Sequence, residues 1–192
     1  MSAALRLATV ADLLRAEADG FAAEIVDGVL AYKAMATWTH ATIQGNLREL
    51  LGPARRRGGP DGGWWILTEV TVSVGANQVY RPDVAGWRRA NLPAPPTEFP
   101  FPIAPDWVCE VLSPSTTGRD LGAKREGYFR GNVGHYWVID PPAGVLSVYR
   151  RTGEGYLLAR TATRGERVAL EPFDGVELDL DDLFDTGETP PA

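Results

Sequence analysis

The sequence predicts one mixed α/β or α+β domain over residues 1–192, with helices flanking a mixed central sheet. At 192 residues and 44% hydrophobic composition, the chain is long enough for one sizeable core. Its predicted elements follow the order helix, hairpin, helix, three strands, helix and strand, with a β-rich end. Residues 107–139 follow a strand–helix–strand order, which implies a right-handed crossover and some parallel pairing.

The N-terminal part predicts a short helix and a β-hairpin. Thr9 and Asp12 have the spacing of a capping box, which indicates the start of the helix. Asp27–Gly28 lies between two apolar runs, and an Asp-Gly pair in that position is a strong hairpin signal. The predicted strands of this hairpin are Phe21–Val26 and Val29–Lys33.

The middle of the chain predicts a second helix and three strands. Apolar residues recur at helical spacing over Thr39–Leu51, and the glycine- and arginine-rich segment Gly52–Gly63 follows as a loop. Three runs rich in aromatic and β-branched residues predict strands, with the proline-rich crossing Asn91–Pro105 before the last of them. These predicted strands are Trp64–Val74, Val79–Trp87 and Asp106–Leu112.

The C-terminal part predicts a helix followed by strands. Ser113–Thr117 has the residue types of a turn and helix cap, and Arg119–Arg130 then has a helical pattern. His135–Asp140 predicts the next strand. Val145–Arg150 and Tyr156–Thr161 have the pattern of a terminal β-hairpin.

The charge distribution permits a polyanionic partner. The net charge of −6 argues at first against nucleic acid, but residues 171–192 contain eight acids and no base. This leaves 17 acids against 19 bases in residues 1–170. Basic clusters in that body permit a polyanionic substrate without demanding one. They are Arg55–Arg57, Arg88–Arg89 and the group Arg119, Lys124, Arg125 and Arg130.

Other features of the composition favour a cytoplasmic protein with no membrane partner. Cys109 is the one cysteine, so it cannot form an internal disulfide, and it lies in an apolar run. No apolar run approaches the ~18 residues that span a bilayer. The first twenty residues contain acids and no apolar core with a cleavage site, so we expect no signal peptide.

Three charged residues contradict the apolar patterns around them. Glu110 is the one charged residue in the strand-like run 107–112, where burying a carboxylate costs several kcal/mol unless cations or hydrogen bonds offset it. Asp83 lies just inside a predicted strand, and neighbouring strands would bring its Cβ within ~5 Å of that of Glu110. Lys124 lies on the inward stripe of the following helix, marked by Leu121 and Tyr128.

These three residues suit phosphodiester chemistry. Facing carboxylates repel each other unless a divalent cation lies between them, and hard oxygen ligands suit Mg²⁺, with Mn²⁺ as a second possibility. Such a cation on Asp83 and Glu110 would polarise a phosphodiester, and Lys124 would orient the attacking water or neutralise developing charge. The structural alternative is that Asp83 caps a turn, Glu110 pairs with an arginine and Lys124 snorkels to solvent.

The motifs around these residues resemble a known family. Arg81–Asp83, the segment 109–116 (CEVLSPST), Lys124 with Tyr128, and the segment 135–141 (HYWVIDP) are similar to motifs of the Uma family. This family is a branch of the PD-(D/E)XK restriction-endonuclease-like superfamily. The similarity covers roughly residues 20–150 and also includes the segment 24–28 (EIVDG), His40 and Asn46–Leu47.

The resemblance implies a restriction-endonuclease-like core of helix, three antiparallel strands, helix and strand. It implies that Asp83 and Glu110 bind the metal, joined by the backbone carbonyl of Val111. In the wider superfamily the lysine stands two residues after the second carboxylate, where this chain has Leu112, so the resemblance assigns that role to Lys124.

Three further residues are accessory candidates. The early helix of the superfamily often contributes an acid, whereas this chain offers His40 and Gln44 on its second helix. A structural role is the alternative for His40, and a packing role is the alternative for Tyr128.

The sequence therefore predicts a magnesium-dependent endonuclease that hydrolyses DNA, acting as a homodimer if it cuts both strands. A non-catalytic module that binds nucleic acid or protein on the same scaffold is the alternative. The acidic segment 171–192 favours that alternative, since it would repel a duplex unless it folds away. A hydrolase for another phosphodiester is a third hypothesis.

Overall fold

The fold is described by a computed structural model for residues 6–56, 62–113, 118 and 120–187. Thr9 caps the first helix together with Asp12, which confirms the predicted capping box. A π-helical turn, Asp120–Lys124, leads directly into the fourth helix. The helices are α1 (Val10–Ala18), α2 (Trp38–Leu50), α3 (Gly52–Arg55), α4 (Arg125–Arg130) and α5 (Leu180–Phe184).

Three sheets carry the strands. The first is four-stranded, in the order β2-β1-β5-β4, and the second is six-stranded, in the order β10-β9-β8-β7-β6-β3. In the six-stranded sheet β7 and β8 are parallel and the other neighbours are antiparallel, while β11 pairs with β12 alone. The strands are β1 (Ala23–Val26), β2 (Val29–Tyr32), β3 (Trp64–Thr68), β4 (Val72–Gly75), β5 (Gln78–Tyr80), β6 (Val84–Arg88), β7 (Trp107–Val111), β8 (His135–Asp140), β9 (Val145–Arg151), β10 (Tyr156–Thr163), β11 (Arg167–Ala169) and β12 (Glu177–Asp179).

The topology confirms the predicted mixed α+β class, the N-terminal hairpin, the parallel step and the terminal hairpin. The Asp-Gly turn of the first hairpin has positive φ at both Asp27 and Gly28, as a tight two-residue hairpin requires. None of the described helices has the length and apolar character needed to cross a bilayer.

Two apolar clusters cover the two faces of β6 and β7. Val84 and Cys109 point into one cluster, under α2 and the C-terminal segment. Ala85 and Val108 point into the other, which joins the six-stranded sheet to the four-stranded one. Because side chains alternate along a strand, Glu110 shares the face of Val108 and lies between the two sheets.

Two predicted strands were wrong as single elements. The segment Trp64–Val74 divides into β3 and β4, which belong to different sheets, and the break falls at Glu69 with φ +55°. The segment Val79–Trp87 likewise divides into β5 and β6 around Arg81–Asp83, where Pro82 removes a ladder donor. The chain therefore crosses from one sheet to the other at two neighbouring places.

Two predictions for the helical regions were wrong in detail. The predicted loop Gly52–Gly63 begins with α3, and Leu121, expected on the inward stripe, is exposed. The π-helical turn changes the periodicity on which that stripe was based. Parts of several predicted features lie outside the described residues, namely 57–61, 114–117, Arg119 and 188–192.

The acidic C-terminal segment is not a free tail over its described part. Phe173, Val176 and Leu183 are buried in the apolar cluster under α2. The amide of Asn46 on α2 donates hydrogen bonds to the backbone carbonyls of Asp182 and Asp185 at 3.0 and 2.8 Å. The segment therefore folds against α2. Its acidic charge favoured a non-catalytic module only if the segment did not fold away, so that argument no longer applies.

The close approach of α4 to β5 gives a stability prediction. A Cβ added at Gly127 would overlap the hydroxyl of Tyr80, so we expect Gly127→Ala to lower the free energy of unfolding by about 1–3 kcal/mol. Urea denaturation measures this change. Gly45→Ala is the control, because a Cβ there would meet nothing within 4 Å beyond its chain neighbours and the backbone of its own helix. This helical site should gain up to ~1 kcal/mol. Equal stability of the wild type and the Gly127 variant would contradict the packing.

Candidate active site

A cavity of about 390 Å³ opens where the chain crosses between the two large sheets. Its lining combines residues from β1, the segment after β2, α2, both crossings, β7 and the π-helical turn before α4. The charged and polar side chains of this lining are Glu24, Lys33, His40, Gln44, Glu69, Arg81, Asp83, Glu110 and Lys124, with Ser113 and Thr37.

The two carboxylates singled out by the sequence both line this cavity. Val84 pairs with Cys109 in the antiparallel register of β6 and β7, so Asp83 comes opposite Glu110. Asp83 is 2% exposed and Glu110 is 1% exposed. The backbone N–H of Val111 donates to Asp83 Oδ2 at 2.7 Å, which fixes the orientation of that carboxylate.

Lys33 lies at the centre of one ionic cluster. Its ammonium is 2.7 Å from Asp83 Oδ1 and 2.9 and 3.0 Å from the two oxygens of Glu69. It also donates to the backbone carbonyl of Arg81 at 2.9 Å. The guanidinium of Arg81 forms a second ion pair with Glu69, at 3.2 Å. The crossings between the sheets thus supply every oxygen acceptor that surrounds the Lys33 ammonium.

His40 and Gln44, the accessory candidates on α2, join this cluster. His40 Nε2 lies 3.1 Å from Asp83 Oδ1, and the amide nitrogen of Gln44 lies 2.8 Å from Glu69 Oε1 and 3.3 Å from His40 Nε2. Burial favours a raised pKa for Asp83, but the hydrogen bond with His40 and the charge of Lys33 outweigh it and hold the pKa well below its usual range. Asp83 is therefore an anion at neutral pH.

Lys124 lies at the centre of a second ionic cluster. Its ammonium is 2.6 Å from Glu110 Oε1 and 2.9 Å from Glu24 Oε1, and each of the three side chains is 1% exposed. The hydroxyl of Tyr128 donates to Glu110 Oε1 at 2.6 Å. Burial and the charge of Glu110 raise the pKa of Tyr128 well above its usual range, so this hydroxyl stays protonated. Tyr128 is therefore a hydrogen-bond donor to Glu110 in this arrangement.

Three of the described ligand groups can reach one cation. One ligand atom each from His40, Glu69 and Asp83 lies within 4.8 Å of the other two. Carboxylate oxygens with one imidazole are donors that Mg²⁺ and Mn²⁺ accept. Glu110 borders the same cavity from the neighbouring strand.

Sequence reasoning missed Lys33 and Glu69 and assigned no role to Glu24. Glu24 is the one charged residue of the buried strand β1, and Glu69 is the one charged residue in the run Trp64–Val74, so both carry the anomaly that identified Glu110. For Lys33, the feature of the sequence that could have indicated a functional role is the rarity of lysine. The chain has two lysines among 19 basic residues, and both of them lie in this cavity.

The described arginines Arg55, Arg88 and Arg89, from two of the basic clusters, do not line the cavity. Arg88 and Arg89 stand at the far end of β6 from Asp83, about 17 Å along a five-residue strand. Their guanidinium groups lie over the rings of Trp64 and Trp65, at 4.6 and 3.7 Å from the ring centroids. Arg89 also donates to the backbone carbonyl of Arg55. These arginines stabilise the end of the sheet that is distant from the candidate site.

Comparison with known proteins identifies relatives of this fold. The model of the Uma2 family, described as "Putative restriction endonuclease", matches residues 10–181. A solved structure described as "a putative nuclease belonging to DUF820 from Anabaena variabilis ATCC 29413" has a TM-score of 0.65 and 23% identity, over 86% of this chain and 90% of that chain. That likeness shows a shared fold. No curated protein matches the chain.

The buried Lys124 cluster gives a second stability prediction. Lys124→Met would leave Glu24 and Glu110 buried without this cation, so we expect the free energy of unfolding to fall by about 3–5 kcal/mol. Chemical denaturation monitored by tryptophan fluorescence measures the loss. Arg130→Met is the matched control, because its ion pair with Asp27 is half exposed and contributes less than ~1 kcal/mol. Similar small losses in both variants would contradict the interpretation.

Proposed function

The chain belongs to the Uma2 family, and on that premise we propose that it is a metal-dependent endonuclease that hydrolyses DNA phosphodiester bonds in this cavity. One observation carries the proposal. Asp83 and Glu110 are opposed across β6 and β7, are buried, and line one cavity that also contains two ammonium groups. Acidic side chains are rarely buried, and a cleft that collects several buried acids is a functional-site candidate.

The donor set of the cavity fits a divalent cation of the Mg²⁺ or Mn²⁺ type. We propose Asp83 and Glu110 as its carboxylate ligands, with the backbone carbonyl of Val111 as a further ligand. Glu69 and His40 are near enough to Asp83 to complete the set. When bound, such a cation polarises the phosphodiester and lowers the pKa of a coordinated water.

The other residues of the cavity position these groups. The N–H of Val111 holds Asp83 Oδ2, which directs Oδ1 towards Lys33 and His40. Tyr128 and Lys124 both contact Glu110 Oε1 and so restrict the rotation of that carboxylate. We propose that the fixed positive charge of Lys124 also offsets negative charge that develops on the phosphate.

The proposal also concerns the oligomeric state and the location of the protein. Cleavage of both strands of a duplex by a chain with one site calls for two copies, so we propose a homodimer on DNA. Cys109 is buried with a free thiol, which agrees with a reducing cytoplasm as the proposed location.

A second candidate function has one observation in its favour. Asp83 is paired with Lys33, and Glu110 with Lys124, so protein cations already balance the two carboxylates. A scaffold whose site is neutralised internally can serve as a non-catalytic module that binds nucleic acid or protein. Metal binding separates the two candidates, because the module has no need of a cation.

The first functional prediction concerns the paired carboxylates. We expect Asp83→Asn and Glu110→Gln each to lower magnesium-dependent nicking of plasmid DNA by at least about a hundredfold, because each removes negative charge from the cation site. Gel assays of supercoiled plasmid measure nicking, and calorimetric titration with Mn²⁺ measures binding. Glu126→Gln is the control, an exposed acid on α4 that should leave both unchanged. Wild-type protein that neither binds Mn²⁺ nor nicks plasmid would favour the module.

The second functional prediction concerns the choice of cation and substrate. Because carboxylate oxygens dominate the donor set, we expect Mg²⁺ and Mn²⁺ to support cleavage and Zn²⁺ alone to fail. The measurement is plasmid, RNA and cyclic dinucleotide hydrolysis in metal-free buffer with each cation restored singly. Tight Zn²⁺ binding without any response to Mg²⁺ would count against the proposed site. Turnover of RNA or a cyclic substrate but not of DNA would redirect the proposal to another phosphodiester.

A further inference from the structure

The Lys33 ammonium lies in a shell of oxygen atoms that resembles the surroundings of a bound cation. Four oxygens lie within 3.0 Å of Nζ, from the carboxylates of Glu69 and Asp83 and the carbonyl of Arg81. An ammonium has three protons to donate, and these acceptors use all of them. Lys33 therefore fills a cation position made by the two crossings between the sheets.

Asp83 cannot offer its cavity-facing oxygen to a second cation while this contact persists. Its Oδ2 accepts the N–H of Val111, and its Oδ1 lies 2.7 Å from the Lys33 ammonium and 3.1 Å from His40 Nε2. A divalent ion at bonding distance from Oδ1 would lie against a positively charged group. Like charges at such a separation repel strongly in a partly buried site.

The two lysines of the cavity differ in their freedom to move. Lys124 is 1% exposed and is held between Glu24 and Glu110. The side chain of Lys33 is 10% exposed, and it follows β2 in a segment without helix or strand that leads to α2. Its four-carbon stem can move the ammonium towards solvent without disturbing the sheet. Lys33 is thus the lysine that can move away from the oxygens of Glu69 and Asp83.

We propose that Lys33 is a tethered cation that occupies the coordinating face of Asp83 and Glu69, and that a divalent metal binds only by displacing it. This inference rests on the proposed function, since it concerns the same carboxylates. Its consequence is that Lys33 limits the affinity of the site for metal. The apparent affinity equals the intrinsic affinity multiplied by the fraction of molecules in which Lys33 has released Asp83, so a small fraction gives weak apparent binding.

Affinity of the Lys33 variants for metal tests the inference. Calorimetric titration with Mn²⁺ compares wild type, Lys33→Met and Lys33→Arg. We expect Lys33→Met to bind at least about tenfold more tightly, because it removes the competing charge. Lys33→Arg is the comparison variant, which keeps a positive charge beside Asp83 and should therefore bind Mn²⁺ more weakly than Lys33→Met does. Circular dichroism confirms that each variant is folded before titration.

A second measurement uses the wild-type protein and needs no variant to fold. Lys33 and Lys124 are the two lysines of the chain, so protein labelled with ¹³C at the lysine Cε gives two side-chain signals. We expect saturation with Mg²⁺ to move the Lys33 signal to the position of a solvent-exposed lysine. The Lys124 signal should keep the position of a buried one.

The outcomes separate this inference from the function on which it rests. Unchanged or weaker Mn²⁺ binding by Lys33→Met, or a Lys33 signal that stays buried at saturating Mg²⁺, would overturn the displacement while the metal site stands. Failure of every form to bind Mn²⁺ would overturn both. Tighter binding by Lys33→Met together with a displaced Lys33 signal supports both.

Discussion

The structure depends on the buried ion cluster of Glu24, Lys124 and Glu110. These residues come from β1 of the four-stranded sheet, the turn before α4, and β7 of the six-stranded sheet, so one ammonium links three elements. Glu24 Oε1 also accepts the backbone N–H of Arg81, at the crossing between β5 and β6. Buried charges are tolerated only when they are paired and hydrogen-bonded, which ties the packing of the two sheets to the geometry of the cavity.

The breaks between β3 and β4 and between β5 and β6 explain why Glu69 and Asp83 come together in the cavity. A strand that continued through Glu69 would place its side chain on a sheet face, whereas a positive φ there turns the chain and directs the carboxylate to Lys33. Pro82 interrupts the second strand just before Asp83. Interruptions of regular structure next to a cleft are a common way of aiming side chains at a site.

Lysines pair with both Asp83 and Glu110, which fits the shape of the ammonium group. Both lysines line the cavity, and Arg81 is the one arginine among its described lining residues. An ammonium is a compact charge with three donors and can be surrounded by oxygens from several elements. A guanidinium is a planar fork that stacks on aromatic rings, as Arg89 does on Trp65. This difference supports separate roles for the two residue types.

The short motifs of the sequence indicate the family to which the chain belongs. The match over residues 10–181 extends the similarity beyond the range of about 20–150 that those motifs covered. The fold class, the parallel step between β7 and β8, and the bounds of α2 and β8 to within one residue also followed from local pattern. The roles of Asp83, Glu110 and Lys124 in metal binding and catalysis stay predictions, although all three line one cavity.

The sequence by itself determined α1, α2, the N-terminal hairpin, the β9–β10 hairpin and the buried charge of β7. These features depend on periodicity, on turn residues and on the cost of placing a carboxylate among apolar neighbours. Only the tertiary structure decided which cation meets which acid. The partners Lys33 and Asp83 are 50 residues apart, and Lys124 and Glu24 are 100 apart. Local pattern indicates that a buried charge needs a partner, but the partner is chosen by how the two sheets pack, and that depends on contacts between distant parts of the chain.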